Sequence, residues 1–476
     1  MNAGYDFGMI GIGVMGSNLL LNMADHGYAV IGFDLKQERA DALVTAAKQD
    51  TIVKGTIDIA EMTRALKRPR KLMMLVPAGK PVDDVIQNLL PHLQEGDIVI
   101  DGGNSYYKDT LKRIQYLQDK GIHFFGMGIS GGESGARYGP SMMPGGDREA
   151  YQYLKPILEA IAAKADNVPC VAYMGNGAAG HYVKMVHNGI EYAMMQMISE
   201  VYDVMHRGAE IDNKGLHDVF SSWNEGQLQS FLIEITAEIF NTQDDDTEHP
   251  ADFLVDKILD QAGSKGTGKW TSQEAMNLPV PVPSIDMAVA MRDLSVYKEQ
   301  RQKAAKLYKP GILTIKSNKE FISDLENALA FSFTIAYIQG LSMLSKASDE
   351  LNMNIPMAAV IQVWKSGCII RSALLGNFSA VFEKDPKLPN LLLDKNIAEL
   401  LQNREQSVRS VVATAVHSKI PVAAISSALA YYDAYLSERL PVNLIQAQRD
   451  FFGAHTYRRI DKEGVFHTEW TTNAEE

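Results

Sequence analysis

The chain has 476 residues, 46% hydrophobic and 22% charged, the composition of a soluble globular protein with a core large enough for two or three domains. Its net charge is -12, from 46 Lys and Arg against 58 Asp and Glu, with no basic block, which argues against nucleic acid and against an anionic membrane surface. Two cysteines, Cys170 and Cys368, are too few for a disulfide framework; they predict a reducing cytoplasm and the role of small buried apolar side chains.

The opening "MNAGYDFGMIGIG" has neither the basic region nor the long apolar core of a leader peptide. Over the first 175 or so residues, short apolar runs alternate with longer amphipathic ones. "FGMIGIG" (7–13), "AVIGFD" (29–34), "KLMMLVP" (71–77), "DIVIDGG" (97–103), "HFFGMGIS" (123–130) and "VAYMG" (171–175) read as strands that are apolar on both faces. Helical stretches lie between them, such as "GSNLLLNMADHG", which stops at Gly27 as a capped helix does. Repeated βαβ units predict a doubly wound, Rossmann-type parallel sheet.

"GMIGIGVMGSN" places Gly11, Gly13 and Gly16 between a strand and a helix as G-x-G-x-x-G. Glycines permit the tight turn and let the backbone approach a pyrophosphate at the helix N-terminus. Ile12, Val14 and Met15 share that turn, and Asp34 follows Gly16 by 18 positions, where a ribose-binding acid belongs. "DGGNSYYKDT", with Asn104, and "GISGGESGARYGPSMMPGG", with Ser130, Gly131 and Gly132, read as turns at the C-terminal edge of the same sheet.

After "GNGAAGH" (175–181) long helical periodicities dominate to about residue 435. The uncharged stretch from Asn327 to Ser345 carries Ser, Thr, Asn and Gln throughout and reads as a buried helix rather than a membrane span. The acidic segment "NTQDDDTEHP" (241–250) lacks metal-ligand spacing and reads as a solvated loop. "SKGTGKWTSQEA" (264–275), with Lys265 and Thr267, is a glycine-rich loop before a helix, suited to a phosphate. The last forty residues, rich in Arg, His and aromatics, read as neither long helix nor sheet. The division is a dinucleotide-binding domain (1–178), an all-helical domain (179–437) and a C-terminal tail (438–476).

The most informative stretch is "HYVKMVHNGIEY". Lys184, His187, Asn188, Glu191 and Tyr192 fall on one helical face, while Val183, Met185, Val186 and Ile190 occupy much of the rest. A polar stripe on an otherwise apolar helix must be solvated, paired or used. A lysine serves as a base where burial lowers its pKa, and a glutamate as an acid where burial raises its own; His187 and Asn188 read as orienting donors.

Together, "SGGESGARYGPSMMPGG", "GAAGHYVKMVHNGIEY", "SKGTGKWTSQ" and "LIQAQRDFFGAHTYRRIDKEGVFHTEW" resemble decarboxylating 6-phosphogluconate dehydrogenases over nearly the whole chain. The resemblance implies oxidation of 6-phosphogluconate at C3 and loss of CO2 without a metal, with Lys184 as base and Glu191 as acid. It implies substrate contacts from Asn104, Ser130, Gly131, Gly132, His187, Asn188, Tyr192, Lys265, Thr267 and, in a looser local match, Arg292. Arg449 and His455, in "AQRDFFGAH", match tail residues that complete the partner's site, which implies a homodimer with shared active sites. Related β-hydroxyacid dehydrogenases share the glycine turn and a lysine but lack the long helical part and this tail.

Three positions depart from the usual NADP pattern. Where most members end the second strand in Asn-Arg-Ser or Asn-Arg-Thr, this chain has Asp34, Leu35 and Lys36. Gly13 replaces a common alanine, and Pro77, between Val76 and Ala78, replaces a common lysine. Asp34 repels a 2′-phosphate and accepts bonds from a ribose diol, so the expected cofactor is NAD; Lys36 keeps NADP possible. An NAD-linked enzyme fits catabolic use of gluconate better than supply of NADPH.

Overall fold

The computed structural model describes residues 4–245 and 252–470, so the end of the acidic segment, from Asp246 on, lies outside the described residues. The chain divides into two compact units, Met1–Ala428 and Leu429–Glu476.

The larger unit begins with strands β1 (Phe7–Ile10), β2 (Val30–Phe33), β3 (Val53–Thr56), β4 (Lys71–Met74), β5 (Ile98–Asp101), β6 (His123–Ser130) and β7 (Ser141–Gly145). Helices α1 (Val14–Asp25), α2 (Gln37–Thr45), α3 (Ile59–Ala65), α4 (Lys80–Leu89), α5 (Tyr107–Gln118) and α6 (Gly132–Tyr138) connect them, and α7 (Arg148–Ile161) follows. The sheet runs β3-β2-β1-β4-β5-β6-β7, parallel except for the antiparallel β6–β7 pair. Successive residues of one strand enter opposite cores: Met9, Met73, Ile98 and Ile100 pack with α1 and α7, whereas Ile10, Leu72, Met74 and Val99 pack with α3 and α4. That alternation, with both faces covered, is why the strands read as continuous apolar runs. Chain order reverses direction between β1 and β4, which opens a crevice at their C-terminal ends.

Several sequence expectations are corrected. "VAYMG" is not a strand; a single bridge joins Val171 to Met142, after a hairpin of β8 (Lys164–Ala165) and β9 (Val168–Pro169). Two strands escaped the pattern. β3, "VKGT", is mostly half-buried and carries a glycine whose Cβ would lie 2.2 Å from the Ala40 carbonyl oxygen. β7, "SMMPG", ends in residues that signal a turn, yet it is buried throughout and antiparallel, so the sheet is not wholly parallel.

Helix α8 (Ala179–Asp203) then crosses β6 and β7 in backbone contact. A Cβ on Gly180 would meet the carbonyl oxygens of Gly126 and Met143 at 2.2 Å, and one on Gly128 would meet Lys184 Cβ at 2.3 Å. Small residues are therefore what seat the lysine against the sheet. After α8 come α9 (Asn213–Asn224), α10 (Phe231–Asn241), α11 (Leu254–Lys257), α12 (Thr267–Asn277), α13 (Pro283–Ser295), α14 (Lys298–Tyr308), α15 (Lys319–Glu350), α16 (Met357–Trp364), α17 (Leu375–Lys384) and α18 (Lys395–His417), of which α10, α12, α13 and α15 pack against α8. Helix α15 is long and apolar enough to cross a membrane, but 89% of its most apolar window is buried inside the protein, as the sequence predicts for this stretch. Both cysteines are free and buried, with thiols raised by burial, Cys368 to about 12.

The chain leaves the larger unit in α19 (Ala423–Tyr435) and forms α20 (Val442–Gly453), a 12-residue helix that the sequence reading did not anticipate. The small unit is organised around Asp450, 0% exposed, whose carboxylate accepts bonds from the N–H groups of Thr456 and Thr468 and from Trp470 Nε1 at 2.8–3.0 Å. Burial opposes its ionisation, but these donors and His467 hold its carboxyl down at about 2.

Candidate active site

Two cavities open at the C-terminal edge of the sheet. The first, about 650 Å³, lies beyond β1, β2 and β4 and is lined by Gly11, Gly13, Asp34, Leu35, Arg39, Val76 and Pro77 among others. Gly11 has φ +86°, and a Cβ on Gly16 would sit 2.1 Å from the Gly11 carbonyl oxygen, so both positions need glycine. No side chain caps the N-terminus of α1 at Gly13 and its first turn carries no acid, so its N–H groups are suited to an anion. Val14 is exposed at that turn, and Ala78 lies exposed beyond Pro77. Asp34 is buried: Oδ2 accepts from Ile12 N (3.2 Å) and Arg39 Nη1 (3.1 Å), and Oδ1 from Lys36 N (3.2 Å). These residues fit the adenosine half of a dinucleotide.

The second cavity, about 640 Å³, is lined by Met15, Asn104, Ser130, Gly131, Gly132, Lys184, Asn188, Glu191, Tyr192, Lys265, Thr267 and Arg292. It brings together three loops and one helical face that are far apart in sequence. His187 stands behind this wall, fully buried, as part of a directional chain. Ile369 N–H donates to Ser130 Oγ (3.3 Å); because Asn188 Oδ1 can only accept, the neutral ring carries its proton on Nδ1 and Nε2 accepts from the Ser130 hydroxyl (3.2 Å). The ring's Nδ1–H then donates to Asn188 Oδ1 (3.0 Å), and Asn188 Nδ2 donates to Thr267 Oγ1 (3.0 Å). The imidazole in this chain is neutral, and burial followed by the nearby Lys184 holds its pKa well below the usual histidine range.

Lys184 Nζ lies 3.4 Å from His187 Nδ1. Burial drives the lysine pKa down, opposed in part by Glu191. Burial drives Glu191 up, opposed by Lys184, Arg292 and Lys265. The Arg292 guanidinium stacks 3.7 Å over the Tyr192 ring. A site whose lysine leans toward the free amine and whose carboxyl leans toward the acid holds a base and an acid on one wall.

Profile comparison matches the "NAD binding domain of 6-phosphogluconate dehydrogenase" over residues 6–175 and the "6-phosphogluconate dehydrogenase, C-terminal domain" over residues 180–470. The chain belongs to the 6-phosphogluconate dehydrogenase family. Its relatives include the decarboxylating enzyme of Lactococcus lactis subsp. lactis (strain IL1403), 48% identical over 98% of this chain and 99% of that one. The NADP(+)-dependent, decarboxylating enzyme of Bacillus subtilis (strain 168) is 48% identical over 97% and 98%. Among solved structures, Plasmodium falciparum 6-phosphogluconate dehydrogenase, studied in apo form and in complex with NADP+ and with 6-phosphogluconate, aligns with a TM-score of 0.94 and 44% identity over 98% of this chain and 100% of that chain.

In this member of the 6-phosphogluconate dehydrogenase family, one predicted cofactor contact, Lys36, is off the wall of the nucleotide cavity, and two predicted residues lie in the small unit. Lys36 is exposed and is not among the residues lining the nucleotide cavity. Arg449 and His455 belong to the small unit: Arg449 Nη1 donates to Gln446 Oε1 (3.2 Å), and the His455 ring packs edge-on to Phe452. Sequence reasoning missed Arg39, the cation that does line the nucleotide cavity. It sits in the first turn of α2, five residues after Asp34, and only the fold of that turn brings the two together. It also missed Ile369, whose backbone N–H starts the chain to Thr267; no side-chain pattern signals a backbone donor.

Proposed function

We propose that this protein oxidatively decarboxylates 6-phosphogluconate to ribulose 5-phosphate and CO2, reducing NAD in preference to NADP. The carrying observation is the pairing of a pKa-lowered Lys184 with a pKa-raised Glu191 along one face of α8 at a single cavity. A nicotinamide dinucleotide held by the glycine turn, of which Met15 lines the second cavity, would supply the hydride acceptor. Lys184, as the free amine, takes the C3 hydroxyl proton while C3 is oxidised to the ketone. When the C1 carboxylate leaves as CO2, its bonding electrons pass into an enediol whose C3 oxygen the Lys184 ammonium protonates. Glu191, as the acid, then delivers a proton to C2 of the enediol, the carbon that becomes C1 of ribulose 5-phosphate, while Lys184 takes back the proton of the C3 oxygen to give the product ketone. Asn188 and Thr267, held in order through His187, orient substrate oxygens, and Lys265 and Arg292 supply local positive charge in an acidic chain.

The NAD preference rests on Asp34, which faces the nucleotide cavity and already engages Arg39, the arginine that lines that cavity. The Bacillus subtilis relative is named NADP(+)-dependent, so this preference is a property we assign to this chain and not to its family. We further read the chain as domains 1–178 and 179–437 with a tail, 438–476, that completes a partner's site in a cytoplasmic homodimer. The test is kcat/KM for NAD and NADP with 6-phosphogluconate on one preparation. No turnover of 6-phosphogluconate refutes the reaction; a tenfold preference for NADP, about 1.4 kcal/mol, refutes the cofactor reading.

A further inference from the structure

Away from the acid–base pair, a heavily coordinated carboxylate among the described residues of the larger unit is Glu274 on α12, 2% exposed. Its Oε1 accepts from Tyr106 Oη (2.7 Å), Lys108 Nζ (2.7 Å) and Asn277 Nδ2 (3.0 Å), and its Oε2 from Tyr107 Oη (2.7 Å). Three of the four donors come from the start of α5, a helix N-terminus that itself favours a negative charge. The Tyr106 ring lies 5.1 Å from the Trp270 ring, and Tyr107 packs edge-on to Tyr182 of α8 at 4.9 Å.

We infer that Glu274 is a positioning residue: its clasp with Tyr106, Tyr107 and Lys108 fixes the phosphate-type loop 263–267 against the Asn104 edge of the sheet. Both partners of the clasp continue directly into the cavity wall. Asn104 is two residues before Tyr106, and loop 263–267 runs into α12, where Thr267, Thr271 and Glu274 share one face at i, i+4 and i+7. Thr267 and Thr271 bind Asn188 Nδ2 and the Met185 carbonyl oxygen, so they fasten α12 to α8. Glu274 instead fastens it to α5, and thereby sets the separation between the cofactor-side and substrate-side walls. A buried carboxylate with four donors cannot be shifted without leaving several of them unpaired, so the clasp is stiff. Its consequence for turnover rests on the function proposed above.

The test is Glu274→Gln, which keeps shape and removes charge, alongside the milder Lys108→Met, which removes one donor of four. Amide hydrogen exchange of the unliganded protein reads the clasp independently of any substrate: peptides covering 263–270 should exchange at least about fivefold faster, with peptides of α15 unchanged. In steady-state assays KM for 6-phosphogluconate should rise about tenfold while the dissociation constant for the dinucleotide stays within about twofold. The isotope effect from deuterium at C3 should grow, because misplacement slows the hydride step and a merely less stable protein leaves it unchanged. Unaltered exchange in 263–270 for both variants overturns the inference, as does altered exchange with unaltered KM and isotope effect. If wild-type protein fails to turn over 6-phosphogluconate, the reaction assignment falls and exchange alone decides the clasp.

Discussion

Replacing Asp34 with asparagine separates charge from shape in the nucleotide cavity. The amide oxygen can still accept from Ile12 N, so the glycine turn keeps its anchor, while the ion pair with Arg39 is lost. A bound 2′-phosphate carries about -1.5 to -2 charges; at about 5 Å from a carboxylate, with an effective dielectric near 40, the repulsion is about 2.5 kcal/mol. The Arg39 side chain is 50% exposed and the cavity is open, so ionic screening reduces this by about half, to roughly 1.2 kcal/mol. Release of Arg39 toward the phosphate adds to the same side. Asp34→Asn should therefore raise kcat/KM for NADP about tenfold and lower it for NAD, and adding Leu35→Arg should move the ratio further. Initial rates of dinucleotide reduction at 340 nm, at fixed ionic strength, measure both. An NADP value within about twofold of wild type would refute the electrostatic reasoning; so would a shift that persists undiminished in about 1 M salt.

Lys184→Met should lower kcat by about 10²- to 10⁴-fold, the usual contribution of a positioned general base, with dinucleotide affinity unchanged by fluorescence titration. The acid limb of kcat/KM should follow Lys184: the base acts only above its burial-lowered pKa, so rate falls as pH drops through that value, which lies below an ordinary lysine's. Gly128→Ala places a Cβ 2.3 Å from Lys184 Cβ, which should cost about 1–3 kcal/mol in urea unfolding and lower kcat by displacing the amine. Deleting residues from 445 onward should abolish activity, as Arg449→Ala should strongly weaken it; a fully active truncation would rule out a shared site.

The sequence makes the sheet legible wherever a strand is buried on both faces, as in "HFFGMGIS", whose bounds match β6 residue for residue. It hides β3 and β7 because half-burial, glycine and proline erase the periodic signal, and only neighbouring strands select the extended form. The α8 stripe is legible because local periodicity alone brings Lys184, His187, Asn188 and Glu191 to one face. Arg39 and Glu274 are not, since each acquires its meaning from a partner placed by the fold: Asp34 across a turn, Tyr107 from 167 positions away. The tail's helix α20 is obscured by its shortness and by Pro441 immediately before it, and the tail's centre, Asp450, looks in sequence like any exposed acid.

That centre bears on how the tail would meet a partner in the proposed homodimer. A segment that ties its own amides to one internal carboxylate is ordered before any encounter, so its delivery to another surface is a docking event rather than a folding one. The entropy of arranging Gln446 to Trp470 is then lost when each chain folds and not when a partner is met. In the proposed homodimer, affinity between copies would then track the fit of a pre-ordered tail, and Asp450→Ala would act by returning that ordering cost to the moment of contact.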